Sequence, residues 1–398
     1  MSIDQSAVRR GAGKNLALAT AAFALTFWAW NLIGPLSKTY SEDLGLNPTQ
    51  TSLLVAFPVL VGAVGRIPAG ILTDRYGGRV MLTAACFVSV LPVLMVGLSG
   101  NSYAALLISG FLLGLAGTSF AVGIPFVNAW YPPSKRGFAT GVFGAGMGGT
   151  ALSAFLTPRL VDGVGLVWTH LLMCAALVAM GLVCWTFARN APQWRPNPDP
   201  ALPRLRAVAK LKVTWQMSLL YAVAFGGFVA FSTYLPTMLV SAYDLAQTEA
   251  GLRTAGFSLA AVIARPAGGI LSDKVGPLKI CLVSFFGAAV MAVLLAFEPP
   301  LEIPAGTEFV LMALFLGLGT GGVFALVAEL VDPARVGGVT GIVGAAGGLG
   351  GYFPPLLMGI VYQATGAYTI GLLLLALTAL LVGVFTFANF RTRRAAAD

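Results

Sequence analysis

Arg66 and Arg265 are the residues of this 398-residue chain best suited to chemistry, because both interrupt long apolar segments in which charge is costly. Each lies eight residues before an aspartate, Asp74 or Asp273, near the end of its segment. No Asp or Glu lies at a comparable depth to pair with them. Since a guanidinium stays charged and donates two parallel hydrogen bonds to a planar oxyanion, the pair predicts a site for a small anion. A purely structural role is the alternative.

Glycines and aromatic residues extend this prediction. Segments 137–155 and 338–353 are dense in glycine, which lets helices approach closely and exposes backbone beside a very small ligand. Phe120 lies in a glycine-rich stretch, and Tyr221 and Phe225 are four residues apart on one helix face. If that face meets the ligand, the rings flank a flat anion and Tyr221 donates a hydrogen bond to it. Helix packing alone is the alternative for both groups.

A loop motif that occurs twice predicts a gate. Its first copy contains Asp74, Arg75 and Arg79, and its second contains Asp273 and Lys274, with glycines that allow a tight turn. An acid at a helix end beside basic residues can form a latch that breaks when the protein opens. We therefore expect these five residues to control access to the anion site from one end of the helices.

The composition indicates that membrane-spanning helices position these residues. The chain is 57% hydrophobic and 10% charged, with a mean hydropathy of +0.85, which leaves too little polar surface for a soluble globule. The apolar residues form blocks of about 20, the length that crosses a bilayer as a helix, and strands of alternating polarity do not occur. The predicted fold is an all-α membrane protein with twelve transmembrane helices. These helices are predicted at 15–38, 50–72, 79–98, 102–130, 137–160, 166–188, 213–239, 249–272, 279–297, 306–330, 337–361 and 368–390.

Several classes of protein do not fit this sequence. All four cysteines lie inside predicted spans and form no metal-ligand pair. The sequence contains no nucleophile–base pair, no cofactor motif and no sizeable soluble domain of a receptor. We therefore expect no enzymatic activity, no cofactor and no bound metal.

The chain is a tandem duplication. The segments around the two arginines align at an offset of 199 residues, and the glycine-rich segments align at an offset of 200. The polar, proline-rich stretch 189–212 is typical of a linker, which predicts six-helix bundles at 1–188 and 213–398. An even number of spans gives both repeats the same orientation in the membrane. In such transporters the substrate site lies between the halves near the midplane.

The distribution of charge predicts the orientation in the membrane. The formal net charge is +9, and most Lys and Arg residues lie on the side that holds both termini and the linker. The opposite loops are mainly acidic. By the positive-inside rule, this pattern predicts a multi-pass protein of the bacterial inner membrane with both termini in the cytoplasm. The basic residues thus reflect topology. We expect membrane lipid around the spans and no nucleic-acid partner.

The whole chain resembles the major facilitator superfamily in its twelve spans, central linker and repeated loop motif. The arginine pair and the two glycine-rich segments resemble, more specifically, the NarK-type nitrate/nitrite porter family. This resemblance implies a monomer in which Arg66 and Arg265 bind the anion. It also implies substrate contacts from the residues that match aromatic and glycine positions of the family, namely Phe120, Tyr221, Phe225, Gly117, Gly144 and Gly344.

One position departs from the family pattern. Family members commonly carry asparagine in the span-five motif GAGN, where this chain has GAGM with Met147. The departure removes one expected hydrogen bond to the substrate and bears on the selection between nitrate and nitrite. Met147 is therefore not assigned to the site.

Residues and resemblance together predict a secondary active transporter of nitrate, nitrite or both, working by alternating access. An empty site with two cations should resist closure, and a bound anion would neutralise it, so the carrier takes an anion across each time it turns. This favours exchange of nitrate for nitrite, because no acid or histidine at the membrane centre offers a proton carrier. The alternatives are symport of nitrate with protons, and antiport of an organic anion such as an oxalate-like ion or an organic phosphate.

Overall fold

The computed structural model describes residues 5–99, 102–132, 135–197, 200–332 and 335–394, which are helical apart from short connections. Twelve helical segments in these ranges are long and apolar enough to cross a membrane. We number them spans 1 to 12 in chain order: Gly11–Leu44, Pro48–Tyr76, Gly78–Leu98, Tyr103–Trp130, Ala139–Val164, Leu166–Phe187, Lys212–Tyr243, Gln247–Val275, Pro277–Leu295, Leu301–Leu330, Val336–Thr365 and Thr369–Arg391. The predicted all-α architecture with twelve transmembrane helices is confirmed.

Several helices extend beyond the predicted spans. Span 1 continues to Leu44, where Gly45 ends the helix with a left-handed φ of 61°. Span 2 begins two residues earlier than predicted, at a capping box in which the side chain of Asn47 accepts from Gln50 N at 2.8 Å and Gln50 Oε1 accepts from Asn47 N at 3.0 Å. Hydropathy marks the part of a helix that lies in hydrocarbon, whereas backbone hydrogen bonding continues until a cap ends it.

Residues 189–212 connect spans 6 and 7. Asn190 Oδ1 accepts from Arg79 N at 3.0 Å, which fastens the start of this segment to the loop between spans 2 and 3. The short helix Ala201–Ala209 lies beside span 11, where Val208 packs against Gly338. We call spans 1–6 the N-terminal half and spans 7–12 the C-terminal half. The bundle boundaries at 188 and 213 stay a prediction.

Breaks in helix geometry at or beside glycines occur in spans 1, 2, 4, 5 and 11, and span 1 passes through a 3-10 turn at Gly34–Leu36. Span 2 is interrupted at Gly65, so that Arg66 begins a new helical segment. Spans 4 and 5 pass through 3-10 turns at Gly114–Thr118 and Ala145–Gly148, and span 11 breaks after Gly350. Spans 7 and 8 have no such break. The breaks coincide with glycines, whose missing Cβ lets neighbouring spans approach closely.

The halves are joined at the end of the spans opposite residues 189–212, which we call the far end. Ser52 Oγ in span 2 donates to Tyr234 OH in span 7 at 3.1 Å. Thr237 Oγ1 in span 7 donates to Ser37 Oγ in span 1 at 2.7 Å. Both bonds are buried and cross between the halves, so the far end is closed.

The opposite end, which carries residues 189–212 and which we call the linker end, has free space beside several glycines. A Cβ atom built on Gly70, Gly141, Gly269 or Gly341 would meet no neighbouring heavy atom within 4 Å. Gly70 and Gly269 follow the two candidate arginines by four residues, on the same helix faces. Gly141 and Gly341 hold equivalent positions in spans 5 and 11, three residues before the candidate site glycines. The far end is therefore closed, and these four glycines have room for a side chain at the linker end.

Candidate functional site

The side chain of Arg66 crosses from span 2 to the C-terminal half. It is 3% exposed, and its Nη1 donates to the main-chain carbonyl of Gly344 in span 11 at 2.7 Å. Its Cζ lies 4.9 Å from the ring centroid of Phe120 and 5.0 Å from that of Phe225. Its Nε is buried and has no hydrogen-bond partner in the described part of the chain. The guanidinium therefore retains a donor for a ligand.

Arg265 makes the reciprocal crossing from span 8 to the N-terminal half. It is 6% exposed, its Nη1 contacts Met147 Sδ in span 5 at 2.6 Å, and its Nη2 lies 3.4 Å from Tyr221 OH. A Cβ built on Gly144 would lie 3.6 Å from Arg265 Nε. Each arginine thus reaches the glycine-rich span of the other half.

Aromatic rings connect the two guanidinium groups. The Phe120 ring centroid lies 4.9 Å from Arg66 Cζ and 5.5 Å from Arg265 Cζ. The ring of Phe225 stacks 5.9 Å from that of Phe120, and the ring of Tyr221 lies 5.0 Å from Phe225 with an interplanar angle of 3°. The negative face of an aromatic ring attracts a nearby cation. The structure therefore brings both predicted arginines and all three predicted aromatic residues into one cluster.

The three predicted glycines occupy different surroundings. Gly144 lies beside the span 8 arginine, and a Cβ on Gly344 would lie 3.7 Å from Phe120 Cε1. Gly117 instead packs against Trp30, where a Cβ would lie 3.0 Å from Nε1. Gly144 and Gly344 are thus part of the cluster, whereas Gly117 supports the contact between spans 4 and 1. A substrate contact from Gly117 stays a prediction.

Within the described ranges, no acidic side chain neutralises this cluster. Among the residues described by the structure, no carboxylate oxygen lies within the 4.0 Å ion-pair limit of Arg66 or Arg265. Glu329 lies near the end of span 10, but it is exposed at the linker end. Two buried cations that share one aromatic ring repel each other, and the repulsion is strong where the dielectric is low. An anion between them would relieve it.

The predicted gate residues lie at the linker end. Asp74 and Arg75 end span 2, and Asp273 and Lys274 are exposed at the end of span 8. Arg79 Nε and Nη2 donate to a main-chain carbonyl of span 6, within the same half, at 3.1 and 2.6 Å. The latch between the two loops stays a prediction for a conformation closed at this end.

Two side chains that the sequence interpretation did not assign belong to the cluster. Met147 contacts Arg265 and is 1% exposed, although its departure from the family motif had left it out. Phe324 lies 5.8 Å from Arg265 Cζ and packs at 4.6 Å between ring centroids on Tyr221. The duplication offered a signal for Phe324. Thr320 is the repeat counterpart of Phe120, and Phe324 lies one helical turn beyond Thr320.

Gly347 and Gly348 fit span 11 against the cluster. A Cβ on Gly347 would overlap the ring of Tyr221. A Cβ on Gly348 would lie 2.7 Å from Ala63 Cβ and 3.3 Å from Arg66 Nη1. Both glycines lie in the predicted glycine-rich segment, but nothing in the sequence distinguishes them from the others in that segment.

Known proteins resemble this chain along nearly its full length. The profile of the Major Facilitator Superfamily matches residues 19–326 and 239–398. "Probable nitrate/nitrite transporter NarK2" of Mycobacterium tuberculosis is 56% identical over 385 residues, covering 96% of this chain and 98% of the relative. "Nitrite extrusion protein" of Bacillus subtilis is 36% identical over 366 residues, covering 92% and 91%. "Probable nitrate/nitrite antiporter NarK1" of Thermus thermophilus is 37% identical over 380 residues, covering 88% and 85%.

Solved structures agree with the fold. The crystal structure of a bacterial homologue of the human lysosomal transporter Spinster, in an inward-facing and unoccupied conformation, matches with a TM-score of 0.74. The match covers 96% of this chain and 97% of that one, at 19% sequence identity. At this identity the likeness concerns the fold alone, and it agrees with the predicted major facilitator fold.

Proposed function

Because this chain belongs to the major facilitator superfamily and, within it, to the NarK-type nitrate/nitrite transporters, we propose that it carries nitrate and nitrite across the membrane by alternating access around Arg66 and Arg265. It is a transporter and not an enzyme. One observation carries the proposal: two buried guanidinium groups from opposite halves lie 4.9 and 5.5 Å from one ring centroid, and no described carboxylate pairs with either.

Nitrate and nitrite suit the geometry of this cluster. Both ions are planar, so their oxygens can accept parallel hydrogen bonds from one guanidinium plane. Arg66 offers its unpartnered Nε, and Arg265 offers Nη2 beside Tyr221 OH. The rings of Phe120 and Phe225 would bound the flat faces of the ion. The described cluster is lined by stacked rings and close glycine backbone, which favours a very small anion over a sugar phosphate.

Gly144 and Gly344 are proposed to leave room for that ion. Their missing side chains expose backbone beside the two arginines, and a Cβ at either position would enter ordinary contact with cluster atoms at 3.6 or 3.7 Å. Gly117 is proposed to act without contacting the ion. Because it has no side chain, span 4 can pack closely against Trp30, and this packing positions Phe120.

Alternating access is proposed to use the charge of the site as its control. The empty, doubly cationic cluster resists closure, and a bound anion offsets the repulsion so that the halves can close at the linker end. When they close there, Asp74 and Arg75 of the first loop and Asp273 and Lys274 of the second would form the latch. Arg79 would join it only after leaving its carbonyl partner in span 6.

We propose exchange of nitrate for nitrite as the mode of transport. If the site closes only with an anion bound, the carrier must also bind an anion on its way back. This requirement favours exchange of one anion for the other. His170, the single histidine, is buried at the far end of span 6, where its Nδ1 pairs with Leu166 O at 2.8 Å, away from the arginine cluster. The names of two relatives, an "antiporter" and a "nitrite extrusion protein", fit exchange. Symport of nitrate with protons is the competing mode.

The proposed location is the bacterial inner membrane, with both termini in the cytoplasm and lipid around the twelve spans. The basic residues at the linker end support this orientation through the positive-inside rule. The closed far end then faces the outside of the cell. A monomer suffices for the proposed cycle, because the cluster is built entirely from one chain.

Counterflow in proteoliposomes tests the proposal. Vesicles loaded with nitrite are placed in nitrate, and exchange is followed for wild type, Arg66→Lys and Arg265→Lys. We expect wild type to exchange the ions and each variant to lose at least about a hundredfold in rate, since lysine keeps the charge but not the planar fork. Arg159→Lys is the matched control, because Arg159 lies at the far end of span 5 and donates to its own helix at 2.7 Å.

Three outcomes would change this conclusion. Normal exchange by both cluster variants would remove the arginines from the site. A wild type that ignores both ions but is inhibited by oxalate or a sugar phosphate would be an organic-anion antiporter. Nitrate uptake that needs no internal nitrite and stops with an uncoupler would replace exchange by proton symport.

A further inference from the structure

The short helix Ala201–Ala209, which we call the surface helix, is fastened at its C-terminal end to the start of span 7. Thr214 Oγ1 donates to Val208 O at 2.7 Å, and Trp215 Nε1 donates to Ala209 O at 2.8 Å. Carbonyl groups in the last turn of a helix have no partner within the helix, so these two side chains act as its C-terminal cap. The surface helix is therefore held beside the linker end of span 7.

The surface helix packs on the protein with one face and exposes another. Val208 is buried, and a Cβ on Gly338 of span 11 would lie 3.1 Å from its Cγ1. Leu202, which is 58% exposed, Arg206 and Lys210 follow one another at intervals of four residues. Residues four apart lie on the same side of a helix, so they form one exposed stripe with an apolar end and a basic end.

The basic end of this stripe lacks a counter-charge within the described ranges. Arg206, Lys210 and the nearby Lys212 are exposed, and none of them forms an ion pair with a described acidic residue. Two like charges four residues apart on a helix destabilise it. An anionic group that lies across the stripe would relieve this repulsion.

The exposed side of span 7 indicates where the membrane surface lies. Trp215 is 59% exposed and Leu219 is 42% exposed, on one face of the span, and Lys212 precedes Trp215 by three residues on that face. In membrane proteins tryptophan concentrates at the level of the lipid headgroups, and leucine lies in the hydrocarbon. Because Trp215 also holds the surface helix, that helix and its cations lie at the level of the headgroups.

We propose that the surface helix and the first turn of span 7 form a docking surface for the anionic headgroups of membrane phospholipids. Arg206, Lys210 and Lys212 bind phosphate oxygens, and Leu202 enters the boundary between headgroups and acyl chains. Helices with basic and apolar faces bind bilayers in this way. A soluble phosphate would leave Leu202 and Trp215 without a partner, whereas a phospholipid occupies both parts of the surface. The inference does not depend on which anion the protein transports.

A lipid titration of the purified protein in neutral detergent tests the proposal. Phosphatidylglycerol or phosphatidylcholine is added in mixed micelles, and the rise of the thermal midpoint gives the half-saturating lipid concentration. We expect phosphatidylglycerol to stabilise wild type more than phosphatidylcholine does. The double variant Arg206→Gln/Lys210→Gln should need about ten times more phosphatidylglycerol, because each basic residue near the headgroups adds to the attraction. Added salt should weaken the response of wild type, since it screens exposed charges.

The matched control is the double variant Arg195→Gln/Lys279→Gln. It removes two exposed basic residues at the linker end, and thus the same net charge, from places outside the docking surface. It should titrate like wild type. Leu202→Asn tests the apolar end of the stripe and should raise the half-saturating concentration of phosphatidylglycerol about threefold. Glycerol phosphate, which has the phosphate but no acyl chain, should not stabilise any of these proteins.

Several results would overturn the docking surface. Among them are equal stabilisation of wild type by the two lipids and a double variant at 206 and 210 that titrates like wild type. Glycerol phosphate as effective as phosphatidylglycerol would assign the cations to a soluble phosphate instead. An equal loss in the Arg195→Gln/Lys279→Gln control would show that net charge alone attracts the lipid. The thermal midpoint in detergent alone reports folding, and the single variants, each expected to need about threefold more lipid, replace the double variant if it does not fold.

Discussion

The two arginines are products of one duplication, yet their surroundings differ. Arg66 donates to a main-chain carbonyl, whereas Arg265 meets two side chains, Met147 and Tyr221. The hydrogen bond from Arg66 to the Gly344 carbonyl depends on the position of span 11. It does not depend on the side chain at residue 344, provided that the side chain fits. A side-chain contact changes with each substitution. The hydrogen bond of the N-terminal arginine is therefore fixed by helix position, whereas substitution can change the polar contacts of the C-terminal arginine.

The glycines of the two repeats differ in the same way. Gly348 is pressed against Ala63 and Arg66, whereas a Cβ on its repeat counterpart, Gly148, would meet no neighbouring atom within 4 Å. Span 11 thus packs tightly against Ala63 and Arg66 at Gly348, whereas span 5 leaves space at Gly148. The duplication set the positions of the glycines, and the packing of each half decided which of them have room for a side chain.

Among the substitutions that test this comparison of the two halves, Gly347→Ala is expected to have the largest effect. Its added methyl would overlap the ring of Tyr221, so the ring must move and the stack on Phe225 must shift with it. We expect a loss of at least about a hundredfold in nitrate–nitrite exchange, together with a lower thermal midpoint, because overpacking costs about 1–3 kcal/mol before the geometry of the site is considered. The control is Gly341→Ala in the same span, where the methyl would enter open space. Equal activity of the two variants would contradict the tight fit of span 11.

A smaller effect is expected from Gly348→Ala when it is compared with Gly148→Ala. The methyl at 348 would press on Ala63 and approach Arg66 Nη1 at 3.3 Å, and we expect about a tenfold rise in KM for nitrate. The methyl at 148 should leave transport unchanged, since no neighbour would contact it. Exchange assays on both proteins check the pair. Equal effects at the two positions would show that the halves are functionally symmetric.

Tyr221→Phe should have a more modest effect. It removes the hydroxyl 3.4 Å from Arg265 Nη2 but keeps the ring stacked on Phe225. We expect the KM to rise about threefold, the usual effect of losing one hydrogen bond. The matched control is Tyr103→Phe, whose hydroxyl donates to Gln50 O at 3.1 Å outside the cluster. A KM that does not move would place the tyrosine in the cluster for packing alone.

The smallest effect is expected from Phe324→Leu. This change removes a ring 5.8 Å from Arg265 Cζ, and a cation–π contact at that distance contributes about 0.5–1 kcal/mol. We expect the KM for nitrate to rise about twofold, with the thermal midpoint close to that of wild type. Phe57→Leu serves as the control, since Phe57 packs on Phe111 with centroids 6.2 Å apart. A change as large as that of Gly347→Ala would mean that Phe324 shapes the cluster itself.

Much of the fold was predictable from composition and periodicity. The number of spans and the all-α class followed from apolar blocks of a length that fits a bilayer, which is a constraint imposed by the solvent. The ends of spans 1 and 2 did not follow, because caps such as Gly45 and Asn47 act beyond the hydrocarbon. The helix breaks did not follow either: Gly65 interrupts a span, whereas Gly268 and Gly269 lie within the unbroken helix of span 8.

The candidate site was predictable in its residue types and only partly in its contacts. The arginines were found because a buried charge without a partner is conspicuous and because the repeats mark equivalent positions. The three aromatic residues were found from their glycine-rich surroundings, the four-residue spacing of Tyr221 and Phe225, and the resemblance to the family. Met147 was missed, since its departure from a motif gave no hint that a sulfur would meet a guanidinium. Gly117 matched the motif as well as Gly344 did, but its neighbour is Trp30.

The sequence by itself determined that this protein spans a membrane twelve times, that its halves are repeats, and that two buried arginines lie at equivalent depths. Only the tertiary structure decided which groups those arginines meet, because their partners are 278 and 118 residues away along the chain. Helical periodicity gives the depth of a residue and the face it shares with its neighbours. It does not give the rotation of one span against another, and that rotation brought a carbonyl to Arg66 and a sulfur to Arg265.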